Sequence, residues 1–319
     1  MRKEFEPLDI SILAIFGPTA VGKSRVAVAV AKKLGGEIVS ADSMQVYRGL
    51  PILTDQPTAD MLAEVPHHLI AAIDPEEEYS AAEFARLAEP LICDIGDRGN
   101  LPMIVGGTGL YLRALLGGFS FAGSGGRSMK QKWDEHVRQV GVEAAFRELQ
   151  TTDPDAAACI DRDNPRRLAR ALESAEVASS ATGNSTAAER HRLWSAESPY
   201  RVLSFALTAP REDLYRQIDL RVERMLTEGA VDEVRLLRES RVSVTAAQAI
   251  GFRELCAYLD GQVTLEEAAA TIRQKSHRYA KRQLTWMRKM PDIVRIDVAG
   301  LAPDAIATAI IDRIHDTSD

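Results

Sequence analysis

The chain has 319 residues, of which 45% are hydrophobic, 27% charged and 6% aromatic, and it carries a formal charge of -7. These values exclude a wholly disordered or fibrous protein. The acidic balance also excludes global attraction to nucleic acid, so contact with RNA or DNA requires a local basic patch.

The length suits two domains, or one core carrying an insertion. Cys93, Cys159 and Cys256 lie far apart and supply neither a disulfide framework nor a zinc site. The opening MRKEFEPLDI lacks the apolar run of a secretory signal, and no stretch reaches the roughly 18 apolar residues of a membrane span. A reducing, cytoplasmic compartment with no membrane contact is expected.

Residues 10–16 (ISILAIF) are a short continuous apolar run that predicts a buried parallel strand. GPTAVGKS follows at 17–24, then RVAVAVAKKL at 25–34 with helical spacing and a stop at Gly35-Gly36. Glu37 to Val39 predicts a second strand, with Asp42 and Ser43 just past its end. Residues 80–95 predict an amphipathic helix, and 102–105 a buried strand that runs into Gly106-Gly107 and a helix over 110–116. This alternation predicts an α/β fold, a parallel sheet flanked by helices.

The texture changes near Gly117. FAGSGGRS (121–128) predicts a mobile loop, and 129–193 is helical in its periodicity apart from a small polar loop, ASSATGNSTAAE, at 178–189. Tyr200 to Leu207 returns to strand character, the remainder is helical to about Met290, and 293–298 and 303–315 predict a last strand and helix. The expected organisation is a core over 1–118, an inserted all-helical domain over 119–198, and the rest of the core with a basic helical region over 199–319.

GPTAVGKS matches the G-x-x-x-x-G-K-[ST] phosphate loop through Gly17, Pro18, Thr19, Ala20, Val21, Gly22, Lys23 and Ser24. Glycines let amide N–H groups turn toward an anion, and the following helix N-terminus adds partial positive charge. Lys23 places a point charge on phosphate oxygens, and the Ser24 hydroxyl can ligate Mg²⁺. A glycine turn that merely packed helix on sheet would not require Lys23. The loop specifies a polyphosphate, not ATP hydrolysis: the apolar strand at 103–105 ends in Gly-Gly-Thr, where a typical ATPase places Asp. Asp42 is the best-placed carboxylate near the loop, either as a functional group or as a cap. Thr19 suits a substrate hydrogen bond and a turn equally.

Asn164-Pro165 starts a helix with a cap and a first-turn proline, so that Arg166, Arg167 and Arg170 can share a face. The alternative for them is a solvated charged face. RQKSHRYAKRQLTWMRK (273–289) carries Arg273, Lys275, Arg278, Lys281, Arg282, Arg288 and Lys289 with no acidic residue, which suits a phosphate backbone. Tyr279 and Trp286 interleave with these cations and suit base stacking or, for Trp286 in particular, core packing. His67-His68 lacks partner ligands at metal spacing and suits a structural or substrate-pocket role.

The order of GPTAVGKS, SADSMQVYRGL (40–50), VPHHLI (65–70), YSAAEF (79–84), LPMIVGGTGLYLRALL (101–116), DNPRRLARALE (163–173), IGFRE (250–254) and YAKRQLTWMRK (279–289) resembles the bacterial tRNA dimethylallyltransferases over nearly the whole chain. The resemblance implies a P-loop NTPase-like core with an inserted helical domain. It also implies Mg²⁺-assisted transfer of a dimethylallyl group from dimethylallyl diphosphate to N6 of the adenosine 3′ to the anticodon, in tRNAs reading codons that begin with U. By the same resemblance, the loop from Thr19 to Ser24 would grip the diphosphate and Asp42 would stand beside the adenine amine. Arg221 would lie near the diphosphate. Asp42, Ser43, Met44, Gln45 and Thr108 would contact tRNA, with Gln45 able to read an adenine edge. Arg166, Arg167, Leu168, Ala169 and Arg170 form a second RNA-contacting stretch. Arg278, Lys281 and Arg282 belong to the basic stripe, and the partner is the anticodon stem-loop of tRNA, bound by a monomer.

The chain departs from the family pattern in three places. LPILTDQPT (50–58) lacks the lysine of the usual Gly-Thr-Ala-Lys-Pro, FAGSGGRS replaces an acidic loop, and His277-Arg278-Tyr279 replaces Thr-Arg-Gln. Three competing readings remain at this level. A small-molecule P-loop kinase leaves the helical insertion and basic stripe unexplained. An adenylate isopentenyltransferase has no use for the arginines at 166–170. An RNA-binding module with a relic loop has no use for Lys23, Ser24 and Asp42 together.

Overall fold

A computed structural model describes residues 11–116, 126–180, 200–290 and 293–316. Among them, six strands form one parallel sheet: β1 (Ile12–Phe16), β2 (Gly36–Ala41), β3 (His67–His68), β4 (Leu101–Gly106), β5 (Val202–Thr208) and β6 (Ile293–Asp297), in the order β3-β2-β4-β1-β5-β6. β1, β2 and β4 are buried along their whole length, which is why β1 and β4 are continuous apolar runs without polar alternation, while β2 also buries Glu37 and Ser40.

The connections are α1 (Lys23–Leu34), α2 (Ala59–Glu64), α3 (Ala81–Asp97) and α4 (Gly109–Leu116). On one face of the sheet, Leu13, Ile15, Met103, Val105, Phe205 and Leu207 pack with Val26, Ala27 and Val30 of α1 and with the last helix of the chain. The intervening residues Ile12, Ala14 and Ile104 are equally buried on the other face, as the period-two pleat requires.

The register positions the site. Phe16 pairs with Gly106 and Ala206, and Gly106 pairs with Ala41, so three neighbouring strands end in one row. The next residues, Gly17, Gly107 and Asp42, therefore leave the sheet side by side, at the carboxyl ends where open parallel sheets hold ligands. Asp42 stands two strand spacings, roughly 10 Å, from Gly17.

The chain separates into two compact units, Met1–Leu116 with Ser198–Asp319, and Gly117–Glu197. The second contains α5 (Gly126–Val140), α6 (Val142–Thr152), α7 (Pro154–Cys159) and α8 (Pro165–Ser180). Its own core includes Val137, Ala145, Leu149, Ala156, Leu168 and Leu172. After β5, the first unit continues through α9 (Arg211–Glu228), α10 (Ala230–Leu237), α11 (Phe252–Leu259), α12 (Leu265–Arg288) and α13 (Pro303–Asp316).

Two expectations need correction. α5 begins at Gly126, so Gly126–Ser128 are helical and not loop, and α8 continues through Ser180 into the segment expected to be polar loop. The rest of those two stretches lies outside the described residues. In both places small residues next to a helix supply no apolar periodicity, yet helical hydrogen bonding runs through them. Two elements were absent from the sequence reading. α2 buries no side chain and starts on the Thr58 hydroxyl, which accepts from Met61 N–H, so it has no apolar stripe to detect. β3 is two histidines long and pairs with Ile38 and Val39.

Buried Glu37 holds that edge of the sheet. Its carboxylate accepts from Arg98, from Asn100 Nδ2 (2.7 Å) and pairs with His68 Nε2 (2.8 Å). Burial pushes the Glu37 carboxyl up, but its hydrogen bonds with Arg98, His68 and Asn100 outweigh this and hold it below the usual range. His68 is thereby a structural residue, and His67 Nδ1 is taken by the Val65 carbonyl at 2.8 Å.

Candidate active site

The phosphate loop turns on two left-handed residues, Ala20 (φ 65°) and Gly22 (φ 90°). An alanine there is strained, and such strain concentrates at functional sites. Gly22 is the N-cap of α1 and offers no capping side chain, so the first-turn amides of α1 remain available to an external anion.

Lys23 is half-buried beneath this turn, and its Nζ donates to the Pro18 carbonyl at 2.8 Å. Burial pushes its ammonium down to about 8, with the Asp42 carboxylate opposing this, Arg221 adding to it and Asp55 opposing it. Asp42, Arg221 and Asp55 therefore share one electrostatic environment with Lys23.

Thr19 is held at both ends. Its N–H donates to Gln283 Oε1 at 2.8 Å, and its hydroxyl accepts from Arg221 Nη1 at 2.7 Å. Arg221 also faces Asp55 Oδ2 at 3.4 Å, while Arg224 donates to Asp55 Oδ1 at 2.8 Å. A guanidinium on α9 thus reaches the loop 202 residues away, and its surface-helix position does not reduce it to a salt bridge.

Asp42 Oδ1 accepts from the backbone N–H of Met44 (2.8 Å) and Gln45 (3.3 Å). Among the described residues no hydrogen bond occupies Oδ2. The two amides fix the carboxylate plane and leave one oxygen open, so the local turn role and a chemical role coexist. Across the row, the buried Thr108 Oγ1 has no hydrogen-bond partner, and it lies beside the phenol of Tyr279, which burial pushes up to about 12. Burial also raises the Tyr79 and Tyr111 phenols, whose rings meet edge to face at 5.6 Å. No group of three or more His, Cys, Asp or Glu side chains able to hold a metal exists among the described residues. A cation here would take the Ser24 hydroxyl and complete its shell with ligand oxygens, which suits Mg²⁺ and not an all-protein cage.

The family model described as IPP transferase matches residues 45–290, and one described as isopentenyl transferase matches 10–70. The chain belongs to the IPP transferase family. It is 43% identical over 289 residues to a tRNA dimethylallyltransferase of Halalkalibacterium halodurans, covering 90% of this chain and 91% of that one. It is 44% identical over 293 residues to tRNA dimethylallyltransferase 1 of Citrifermentans bemidjiense, covering 91% and 93%. Among solved structures, the tRNA isopentenylpyrophosphate transferase from Bacillus halodurans is 40% identical with a TM-score of 0.70 and coverage of 96% and 97%. A eukaryotic dimethylallyltransferase acting on tRNA is 26% identical with a TM-score of 0.79, covering 96% of this chain and 79% of that chain.

Three of the residues expected to touch RNA have side chains already engaged within the protein. Leu168 and Ala169 are 0% and 3% exposed and belong to the core of the helical unit. They follow Arg166 and Arg167 on α8, whose 100° step per residue turns them inward, so their side chains cannot meet a ligand. The Gln45 amide is already engaged: its Nε2 donates to the Asp55 carbonyl at 2.7 Å, which removes the group expected to read a base edge. Arg166 and Arg167 are exposed behind the Asn164 cap, whereas Arg170 donates to the buried Glu173 at 2.7 Å. Met44 and Ser43 stay partly open beside Asp42.

The basic stripe on α12 divides in the same way. Arg273, Lys275 and His277 pair with Glu223, Glu254 and Asp219. Arg278, Lys281, Arg282, Arg288 and Lys289 are exposed and form no ion pair among the described residues. Trp286 packs on Gly109, where an added Cβ would meet the indole at 2.8 Å, so it serves packing. The departure LPILTDQPT is firmly built. Glu233 accepts from Ile52 and Leu53 N–H at 2.6 and 2.9 Å, and Gln56 Nε2 donates to the Gln45 and Tyr47 carbonyls at 2.9 and 2.8 Å. Glu233, Asp55 and Gln283 were missed in the sequence because their partners lie far along the chain.

Proposed function

We propose that this protein transfers the dimethylallyl group of dimethylallyl diphosphate to the exocyclic N6 of the adenosine 3′ to the anticodon, in tRNAs reading codons that begin with U, with release of diphosphate. The observation that carries this reading is the common row of strand ends. It puts a cationic phosphate loop at the end of β1 and a carboxylate with one open oxygen at the end of β2, with only β4 between them, the pair of functions that alkylation of an amine by a diphosphate ester demands.

N6 forms a bond to C1 of the dimethylallyl group as the C1–O bond breaks, and the bonding electrons leave with diphosphate. Lys23 and the loop amides stabilise the charge developing on that oxygen. Thr19 accepts a hydrogen bond from Arg221, which leaves its single O–H to donate to a diphosphate oxygen. Asp42 receives the N6 proton through its open oxygen, a step of the kind typically contributing ~10²–10⁴-fold. When bound at Ser24, Mg²⁺ would neutralise part of the phosphate charge.

Extruding the target base from a stacked anticodon loop costs about a few kcal/mol, to be offset by cations such as Arg166 and Arg167 on the helical unit and Arg278, Lys281 and Arg282 on the core. No helix of the described residues is long and apolar enough to cross a membrane, and a tRNA substrate carries with it a cytoplasmic site of action.

The test is incubation with labelled dimethylallyl diphosphate, Mg²⁺ and unmodified tRNA, followed by nucleoside mass analysis. One dimethylallyl group on the adenosine 3′ to the anticodon is expected. Transfer to free adenylate but not to tRNA, or ADP formation from ATP with a small acceptor, would overturn the reading.

A further inference from the structure

Tyr279, Gln283 and Trp286 follow one another at helical spacing on a single face of α12, and that face enters between the phosphate loop and the β4–α4 turn. Tyr279 meets Thr108, and Trp286 covers Gly109. Gln283, only 5% exposed, lies between them. Its Oε1 accepts the Thr19 N–H at 2.8 Å and its Nε2 donates to the Gly107 carbonyl at 3.1 Å. An amide N–H only donates and a carbonyl only accepts, so the carboxamide has a single orientation that satisfies both partners. The fit is close: a Cβ on Gly107 would fall 2.1 Å from the Gln283 nitrogen. One side chain thus ties the end of β1 to the end of β4.

We propose that Gln283 is a positioning residue for prenyl transfer, acting through Thr19. It removes the Thr19 N–H from the amides open to an anion and sets the height of the Thr19 backbone. The loop then addresses the diphosphate at this residue through the hydroxyl that Arg221 orients, not through the amide. This inference rests on the function proposed above, and it adds a residue of α12, the helix that also carries the exposed cations Arg278, Lys281 and Arg282.

The experiment is a double-mutant cycle of Gln283→Met, which is nearly isosteric and breaks both hydrogen bonds, with Thr19→Val, which keeps the N–H and loses the hydroxyl. Displacement of a reacting group by about 1 Å can cost 10²-fold. Gln283→Met should therefore lower kcat about 10- to 100-fold while the KM for tRNA stays within about twofold. In the Thr19→Val background the same change should cost less than about threefold, because residues that act as a unit are strongly non-additive. An undiminished loss in that background, or an unchanged kcat in the single variant, would overturn the proposal.

A second arm requires neither a variant nor turnover. In the wild-type protein the Thr19 amide hydrogen should exchange slowly despite its loop position, and exchange at the rate of an open loop amide would equally overturn the assignment. If the wild-type enzyme fails to prenylate tRNA, the proposed function falls while the amide-exchange arm still decides the role of Gln283.

Discussion

Raising the pH from 7 to 9 should weaken binding of diphosphate to this protein by about tenfold. Burial pushes the Lys23 ammonium down to about 8. At pH 7 about ten molecules in eleven then carry the charge, and at pH 9 about one in eleven. A bound diphosphate returns the pKa toward the ordinary lysine range, so affinity follows the protonated fraction of the free protein, a change of about 1.4 kcal/mol between the two pH values. Calorimetric titration with inorganic diphosphate at pH 7, 8 and 9 measures it. Lys23→Arg supplies the control, because a guanidinium stays charged throughout and its affinity should not show this fall. A flat wild-type profile, or the same fall in Lys23→Arg, would refute the reasoning. Stability must move in the opposite sense. The folded-state pKa lies below the ordinary lysine value of 10.5, so the charged lysine burdens the native state at and below about pH 8. That burden is relieved as the pH rises toward 10.5, and Lys23→Met should lose this rise.

Asp42→Asn retains the turn made with Met44 and Gln45 and removes the proton acceptor, so single-turnover rates should drop ~10²–10⁴-fold with little change in tRNA affinity; equal losses in both would assign Asp42 to binding alone. Arg166→Ala combined with Arg167→Ala should flatten the logarithmic salt dependence of tRNA binding by about 1.5, as measured by filter binding across a salt series, and an unchanged slope would remove both residues from the RNA contact. Arg170→Ala should lower the melting temperature instead, since it strips a partner from the buried Glu173, and a larger effect on salt slope than on melting would reverse that assignment. Glu37→Ala should destabilise the fold by about 1–3 kcal/mol in chemical denaturation. Because the Glu37 carboxyl is held below the ordinary glutamate value of 4.5, the wild-type advantage should be complete at neutral pH and decline as the pH falls below that value; an advantage constant down to pH 2 would contradict the network.

The amino-acid sequence by itself determined the features that depend on near neighbours. The phosphate loop between an apolar run and a helix, the alternation that builds a parallel sheet, the separate helical unit and the Asn164 cap all follow from residues within about ten positions of one another. Only the tertiary structure decided which side chains are free to act. Leu168 and Ala169 share a motif with Arg166 and Arg167 but turn into a core. Gln45 has an amide suited to a base edge, yet the Asp55 carbonyl takes it. Thr19 is placed by Arg221 and Gln283, 202 and 264 residues away. Local spacing sets which segments become helix, strand or turn, because helical and turn hydrogen bonds are short-range in the chain and a strand's apolar pattern is local. A side chain's availability is set by the polar groups that folding brings beside it, and a buried donor or acceptor costs too much to leave unpaired when a distant partner is within reach.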